Sequence, residues 1–290
     1  MTAFATASLS ASLSASATDE ANSAADYASP TDRVQVRLDA AALHIVFNNP
    51  ARHNALSVDM WGAVPALLTQ AAADERVRVV VFSGAGDKAF VSGADISQFE
   101  DQRAAREAVA HYEALAEDAL LAIERSAKPT LACIRGWCLG GGVNVAIACD
   151  IRIASSDSTF SIPAARMGLG YRYSALKNLV NLIGVGAAKD LFFTARRIGG
   201  AEACRLGLVS RIAEADELPA LLAEYTTAIA ENAPLTIAAA KTIIGEILKP
   251  SSELDTALCQ DLILRCFQSE DYTEGRSAFM HKRRPQFKGR

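Results

Sequence analysis

The sequence predicts an α/β protein in which a core of strands and crossover helices is followed by a helical C-terminal region. Strand-like apolar segments alternate with segments of helical period up to residue 213, and almost only helical patterns come after it. A glycine-dense segment, with Gly136 and residues 140–142, lies between an apolar strand-like run and an apolar helix-like run. These observations place the candidate functional backbone inside the α/β part of the chain.

Length and composition are those of an ordinary globular protein. The 290 residues suffice for one large core, and 50% of them are apolar. A net charge of −4 gives no reason to expect nucleic-acid binding. No apolar run reaches the roughly 18 residues that a transmembrane helix needs, so we expect no membrane contact. The six cysteines form no C-x-x-C pair and the four histidines are scattered, so we expect free thiols, a cytoplasmic location and no metal site.

The first residues have low complexity. Seventeen of residues 1–30 are Ala or Ser, and no Lys or Arg precedes Arg33. A secretory signal has a basic start and a mitochondrial transit peptide has arginines, and this segment has neither. We therefore expect a disordered tail over residues 1–32.

Alternation and periodicity predict the first elements. Residues 34–38 and 41–47 alternate like half-buried strands, which predicts a β-hairpin that ends at an Asn-Asn-Pro sequence. Ser57 is a good N-cap for a helix over residues 58–74, whose apolar side chains recur on one face. The next predicted elements are a strand over residues 77–83 and a helix over residues 104–125.

The glycine-dense segment joins a predicted strand over residues 130–134 to a helix over 143–149, and a strand over 150–154 follows. Consecutive glycines at the start of a helix let a ligand approach the backbone, and the first helical N–H groups have no partner within the helix. The helix dipole adds positive potential at that point. The segment therefore predicts a site for a phosphate, a carboxylate or an oxyanion.

The second half of the chain is mostly helical in pattern. Residues 276–290 hold six basic residues and no acidic one, which indicates a solvated tail or a phosphate contact. The remaining predicted elements are strands over residues 158–162 and 195–198 and helices over residues 174–183, 186–193, 200–206, 215–231, 234–248 and 252–268.

Two segments carry recognisable motifs, KAFVSGADI at residues 88–96 and GWCLGGGVNVAIACD at residues 136–150. Together they resemble the crotonase family, which is the enoyl-CoA hydratase/isomerase superfamily. Weaker similarity to that family occurs at residues 49–56, 196–209 and 274–287. The resemblance extends over about residues 33–288.

The resemblance implies a fold and a domain organisation. It implies a crotonase/ClpP-like ββα spiral core over residues 33–213 and a helical C-terminal region over residues 214–290. In this family the C-terminal region builds homotrimers, which often pair into dimers of trimers.

The resemblance also implies an acyl-CoA substrate and no tightly bound cofactor, since coenzyme A enters as part of the substrate. The chemistry shared by the family is an oxyanion hole, in which two backbone N–H groups hold the thioester oxygen as an enolate forms. By position in the motifs, these groups belong to Ala94 and Gly141.

The sequence departs from the family where its hydratases carry two glutamates. Those positions hold Asn144 and Ala164 here. Two carboxylates orient the water and move its protons, and neither Asn nor Ala can act as a base near neutral pH. We therefore expect classical hydration to be impaired. Dienoyl isomerases of the family place another acid where this chain has Arg172.

The segment Tyr171, Arg172 and Tyr173 replaces a glycine- and proline-rich loop of the family, and these side chains could line the acyl pocket. A guanidinium there would suit a thioester with a second carboxylate, as a decarboxylase substrate has. The alternative is that Arg172 faces solvent or a subunit interface. Arg166 has the same ambiguity, and His111 is a weaker catalytic candidate.

Coenzyme A contacts are inferred from the same motif positions. The candidates are Ala51, Arg52, Asn54, Lys88, Gly93, Asp95, Ile96, Phe279 and Lys282. Three functions stay open at this point. They are an enolate-forming enzyme with another base or none, a weak hydratase that uses Asn144 with a tyrosine, and an acyl-CoA-binding protein without catalysis.

Overall fold

A computed structural model describes residues 27–95 and 105–290. The disorder predicted for residues 1–26 and the coenzyme A contact predicted for Ile96 lie outside these residues. Tyr27, which falls within the predicted tail of residues 1–32, is buried, and its hydroxyl donates to Asp74 at 2.7 Å. A buried aromatic ring ties the chain to the core before the first strand begins.

The described residues form two sheets and a set of helices. The strands are β1 Val34–Asp39, β2 Ala42–Phe47, β3 Val79–Gly84, β4 Ala89–Val91, β5 Thr130–Ile134, β6 Trp137–Leu139, β7 Ile151–Ser155, β8 Thr159–Ser161, β9 Ile198–Gly199 and β10 Arg211–Ala213. The helices are α1 Val58–Ala73, α2 Ala105–Glu124, α3 Gly141–Ala148, α4 Tyr173–Thr194, α5 Gly200–Arg205, α6 Leu218–Glu231, α7 Pro234–Ile247, α8 Thr256–Gln268 and α9 Glu270–Met280. The predicted α/β class with C-terminal helices is confirmed.

The larger sheet has the order β1-β2-β3-β5-β7-β10. The predicted β1–β2 hairpin is confirmed as an antiparallel pair, and the other neighbours in this sheet are parallel. Strand β3 is apolar at consecutive positions because both of its faces are buried. Val80 and Phe82 face the main core with α1 and α2, whereas Val79 and Val81 pack on the other face with Leu218 of α6.

The smaller sheet has the order β4-β6-β8-β9 and carries the glycine-rich loops. Strands β4, β6 and β8 are parallel, and β9 is antiparallel to β8. The sequence did not predict β4, β6 or β10, which have three residues each, although it predicted the equally short β8 within residues 158–162. The predicted pair of helices over residues 174–183 and 186–193 is confirmed within α4, because Gly184 breaks the helical backbone with φ 76° and ψ 162°.

The C-terminal segment is anchored, so residues 276–290 do not form the free tail that was one of the two interpretations, and the phosphate contact stays a prediction. Residues up to Met280 belong to α9, and the chain then returns to the start of that helix. The buried carboxylate of Asp271 accepts the N–H groups of Lys288 at 2.7 Å and Gly289 at 2.8 Å. Arg78, just before β3, donates to the carbonyl of Phe287 at 2.7 Å.

Among the helices that the structure describes, none combines the length and the apolar character needed to cross a bilayer.

Candidate active site

Two loops of the smaller sheet meet at a pair of glycines. Gly93 follows β4, and Gly141 is the first residue of α3. A methyl group placed on Gly141 would lie 3.7 Å from the carbonyl carbon of Gly93 and 3.8 Å from the ring of Trp61. These are ordinary contact distances, so the space between the three residues would accept one methyl group or one oxygen atom.

A glycine is favoured at each of positions 140, 141 and 142 for a different physical reason. Gly140 has φ 50° and ψ −111°, a backbone conformation that a side chain would strain. A Cβ on Gly142 would lie 2.3 Å from the carbonyl oxygen of Val91, so close packing of α3 on β4 requires glycine there. Neither reason applies to Gly141. Its missing side chain keeps open the space beside Gly93.

The backbone at Ala94 is held by a single parallel bridge to Leu56. The N–H of Leu56 donates to the carbonyl of Gly93 at 2.8 Å, and the carbonyl of Leu56 accepts the N–H of Asp95 at 2.9 Å. Both backbone groups of Leu56 thus bind the residues on either side of Ala94. The N–H and the carbonyl of Ala94 therefore point away from Leu56.

The backbone N–H groups of Ala94 and Gly141 are the candidate donors of this site. In the described part of the chain, neither N–H donates a hydrogen bond within the protein. Gly141 adds the exposed positive end of the α3 dipole. The negative charge of the Asp95 carboxylate opposes this positive potential, but Arg52 Nη1 lies 3.1 Å from the carboxylate and offsets its charge. The arrangement favours a partly negative oxygen between the loops.

Asn144 lies in the first turns of α3, and its side chain is occupied. The hydroxyl of Tyr171 donates to Asn144 Oδ1 at 2.6 Å, and the Tyr171 ring packs edge-on against Phe192. Burial raises the pKa of the Tyr171 hydroxyl well above its usual range, and the bond to Asn144 acts in the opposite direction. Tyr171 is therefore a protonated phenol near neutral pH and cannot act as a base there.

The second position of the hydratase pair offers no polar group. Ala164 lies in the short 3-10 turn Pro163–Arg166 and is buried. Arg172, expected to face a substrate carboxylate, is already paired. Its Nε donates to Glu113 Oε2 and its Nη1 to Glu117 Oε2, each at 2.7 Å. It is not the unpaired guanidinium that the carboxyacyl hypothesis requires.

Three further candidates lie on the surface. Tyr173 is 81% exposed at the start of α4, so it does not line an interior pocket of this chain. His111 and Arg166 are exposed as well. Their positions in the motifs suggested these residues, but a motif position does not set the direction of a side chain.

The coenzyme A candidates divide into internal and exposed groups. The side chain of Asn54 is buried and binds only backbone, since it donates to the carbonyls of Ala85 and Ala89 and accepts the N–H of Asn49. Gly93 and Asp95 are also buried. Exposed residues, which stay available to a ligand, are Ala51, Arg52, Lys88, Phe279 and Lys282.

Sequence reasoning missed two aromatic residues of this region. Trp61 of α1 and Tyr112 of α2 are not among the residues that the motifs indicate. Trp61 contacts the space beside Gly141, and its ring meets the Tyr112 ring edge-on with centroids 6.3 Å apart. The hydroxyl on an otherwise apolar helix face was the available signal, since a buried Tyr O–H needs an acceptor. Across the described residues, no group of three His, Cys, Asp or Glu side chains comes together to bind a metal.

The chain has extensive similarity to known proteins. A family model described as Enoyl-CoA hydratase/isomerase matches residues 37–290. The Short-chain-enoyl-CoA hydratase of Clostridium acetobutylicum is 34% identical over 83% of this chain and 91% of that protein. The peroxisomal Delta(3,5)-Delta(2,4)-dienoyl-CoA isomerase of Arabidopsis thaliana is 31% identical over 88% of this chain and 95% of that protein.

Solved structures give the same result. An enoyl-CoA hydratase/isomerase family protein from Hyphomonas neptunium is 36% identical with a TM-score of 0.84, covering 91% of this chain and 100% of that one. An enoyl-CoA hydratase/carnithine racemase from Magnetospirillum magneticum is 32% identical with a TM-score of 0.85, covering 90% and 97%. These matches confirm the crotonase fold that the motifs predicted.

Proposed function

Because this chain belongs to the enoyl-CoA hydratase/isomerase family, we propose that it acts on an acyl-CoA thioester and stabilises the enolate of that thioester. The amides of Ala94 and Gly141 would hold the thioester oxygen in the space beside Gly93. Preorganised donors of this kind stabilise developing negative charge without rearranging, and loss of one typically costs roughly 3 kcal/mol of barrier.

The observation that carries this proposal is the glycine at position 141. Gly140 and Gly142 are explained by backbone conformation and packing, but a side chain on Gly141 would meet only ordinary contacts at 3.7–3.8 Å. Folding alone does not require a glycine there. An oxygen atom that enters the space between Gly141, Gly93 and Trp61 does require it.

The proton chemistry proposed for this site differs from that of a two-carboxylate hydratase. With Asn144 and Ala164 at the two positions, no carboxylate stands there to activate water. The Tyr171 hydroxyl, which donates its one proton to Asn144 Oδ1 at 2.6 Å, would turn from Asn144 to protonate the enolate carbon, and the tyrosinate would then regain a proton from solvent. This supports reactions whose enolate arises without α-proton removal. Loss of carbon dioxide from a carboxyacyl thioester is such a reaction, although Arg172 is not free to bind its carboxylate.

The relatives named hydratase and dienoyl isomerase define the reactions to test beside decarboxylation. Purified protein is incubated with crotonyl-CoA, a dienoyl-CoA, malonyl-CoA and methylmalonyl-CoA, and products are identified by mass spectrometry. We expect little hydration and expect turnover of a thioester whose enolate needs no external base. Crotonyl-CoA hydration at the rate of two-glutamate relatives would contradict the proposed chemistry.

A second candidate function is acyl-CoA binding without turnover, which the occupied Asn144 side chain and the buried Ala164 favour. Tight binding of several thioesters, measured by calorimetry, with no product from any of them would support it. Turnover that Gly141→Ala abolishes in a stably folded protein would reject it.

A further inference from the structure

We infer that Tyr112 is a positioning residue that aims the Ala94 amide, acting through the carbonyl of Leu56. The inference rests on the proposed function of Ala94 and adds a residue that the family motifs do not contain. It assigns a role to the hydroxyl of Tyr112, which extends from the buried face of α2 to the backbone of Leu56 opposite Ala94.

The contact is between elements that are distant in the chain. The Tyr112 hydroxyl donates to the carbonyl of Leu56 at 3.2 Å, in a buried environment. The same carbonyl accepts the Asp95 N–H at 2.9 Å, and the Leu56 N–H donates to Gly93 at 2.8 Å. Leu56 is thus fixed on three hydrogen bonds, two of which hold the residues that flank Ala94.

The Leu56 bridge is the contact that binds the backbone on both sides of Ala94, while Ser92 on His53 and Arg52 on Asp95 hold the chain further out. Longer ladders fix each residue through neighbours on both sides, but Leu56 and Ala94 form an isolated bridge outside the two sheets. A buried hydroxyl on the acceptor oxygen therefore supplies a constraint that the sheet does not. Since an amide donor must meet the position of the oxyanion, a small rotation here would weaken the donor.

The same side chain also contacts the residue that borders the space beside Gly141. The Tyr112 ring packs edge-on against Trp61, whose ring would lie 3.8 Å from a methyl group on Gly141. Burial raises the pKa of Tyr112 to about 12, so the hydroxyl stays a donor across the physiological range. Tyr112 therefore joins α2 to the backbone beside Ala94 and to the Trp61 ring beside Gly141.

Tyr112→Phe tests the inference because it removes only the hydroxyl and keeps the ring against Trp61. Tyr27→Phe is the matched control, since Tyr27 is also buried and its hydroxyl donates to Asp74, far from the glycine loops in sequence. The probe is dimethylaminocinnamoyl-CoA, a thioester whose absorption moves to longer wavelength when its carbonyl oxygen accepts strong hydrogen bonds. Thermal melting checks that both variants fold.

With wild-type protein we expect a red shift of the bound probe. Tyr112→Phe should lose at least half of that shift while the dissociation constant changes by less than about threefold, because most binding energy lies outside the carbonyl. For any substrate found, kcat should fall about ten- to hundredfold with little change in KM. Tyr27→Phe should match wild type in each measurement.

Amide hydrogen exchange provides a readout that needs no ligand. Peptides covering residues 93–95 should exchange faster in Tyr112→Phe than in wild type or Tyr27→Phe. Unchanged exchange, or an unchanged red shift in the variant, would overturn the role of Tyr112. A wild-type protein that binds the probe without any red shift would instead reject the proposed oxyanion site, and the exchange result would still decide whether Tyr112 holds the loop.

Discussion

At the scale of single residues, two adjacent glycines at the start of α3 are needed for different reasons. Folding requires the glycine at position 142, whereas the proposed function requires the glycine at position 141. Gly141 has room for a methyl group, whereas a Cβ on Gly142 would overlap the Val91 carbonyl oxygen at 2.3 Å. The two positions are neighbours in one helix turn with the same residue type. Substitution by Ala at each is therefore a matched pair.

For Gly141→Ala we expect a protein at least as stable as wild type, because Ala restricts the unfolded chain and meets no clash. Its thioester turnover should fall roughly 100-fold, an effect comparable to the loss of one oxyanion donor, because the methyl group would occupy the space proposed for the oxygen. Gly142→Ala should instead lose about 1–3 kcal/mol of folding free energy through overpacking. Urea unfolding and steady-state kinetics measure both. Equal stability loss in the two variants would show that Gly141 is also a packing residue.

At the scale of one element, strand β2 contains a buried side chain that can bind a proton. His44 is 7% exposed and pairs across the hairpin with Arg37. Burial, and then the charge of Arg37, lower the pKa of His44 from 6.5 to about 4. The folded state thus holds this histidine neutral where the unfolded chain would protonate it.

The free energy of unfolding should therefore be highest, as far as His44 is concerned, above pH 6.5. It should decline as the pH falls from 6.5 toward 4, because over that range the unfolded state binds a proton at His44 that the folded state does not. The loss amounts to about 3 kcal/mol at most. His44→Gln should remove most of this slope, which denaturant unfolding at pH 7, 5.5 and 4.5 measures. An identical slope in the variant would assign the acid sensitivity to other groups.

The sequence predicts a helix or a strand correctly where its pattern of apolar and polar residues repeats over enough positions. The hairpin of β1 and β2 and the helices α1 and α2 follow from alternation and from a 3.6-residue repeat. Strand β6 has three residues between glycines, so no period could reveal it. In the candidate site, the motifs located Gly141. They could not indicate that Tyr171 would donate to Asn144 or that Arg172 would pair with two glutamates. Side-chain pairing depends on contacts between residues distant in sequence.

At the scale of the whole molecule, the C-terminal helices leave a large apolar surface uncovered. Phe279 is 83% exposed, Met280 77% and Ile247 69%. A groove of about 620 Å³ lies between α7, α8 and α9 and is lined largely by apolar side chains. Exposed apolar area of this extent is characteristic of a surface that another chain covers.

We expect the protein to be a homotrimer or a dimer of trimers in solution, as the family resemblance implied. Light scattering coupled to size exclusion gives the mass directly. Phe279→Ser should lower the assembly mass or raise its dissociation constant, whereas Ser156→Ala, on a loop outside these helices, should not. A monomer at micromolar concentration would contradict this expectation.

The position of the two tryptophans has a practical consequence. Trp61 is 2% exposed and borders the gap beside Gly141, whereas Trp137 is 41% exposed and packs on His53. Their emission spectra should be separable, with a blue component from the interior and a redder one that iodide quenches. A thioester that enters the gap should change the first component and leave iodide quenching of the second largely intact, so the unlabelled chain reports its own occupancy by fluorescence.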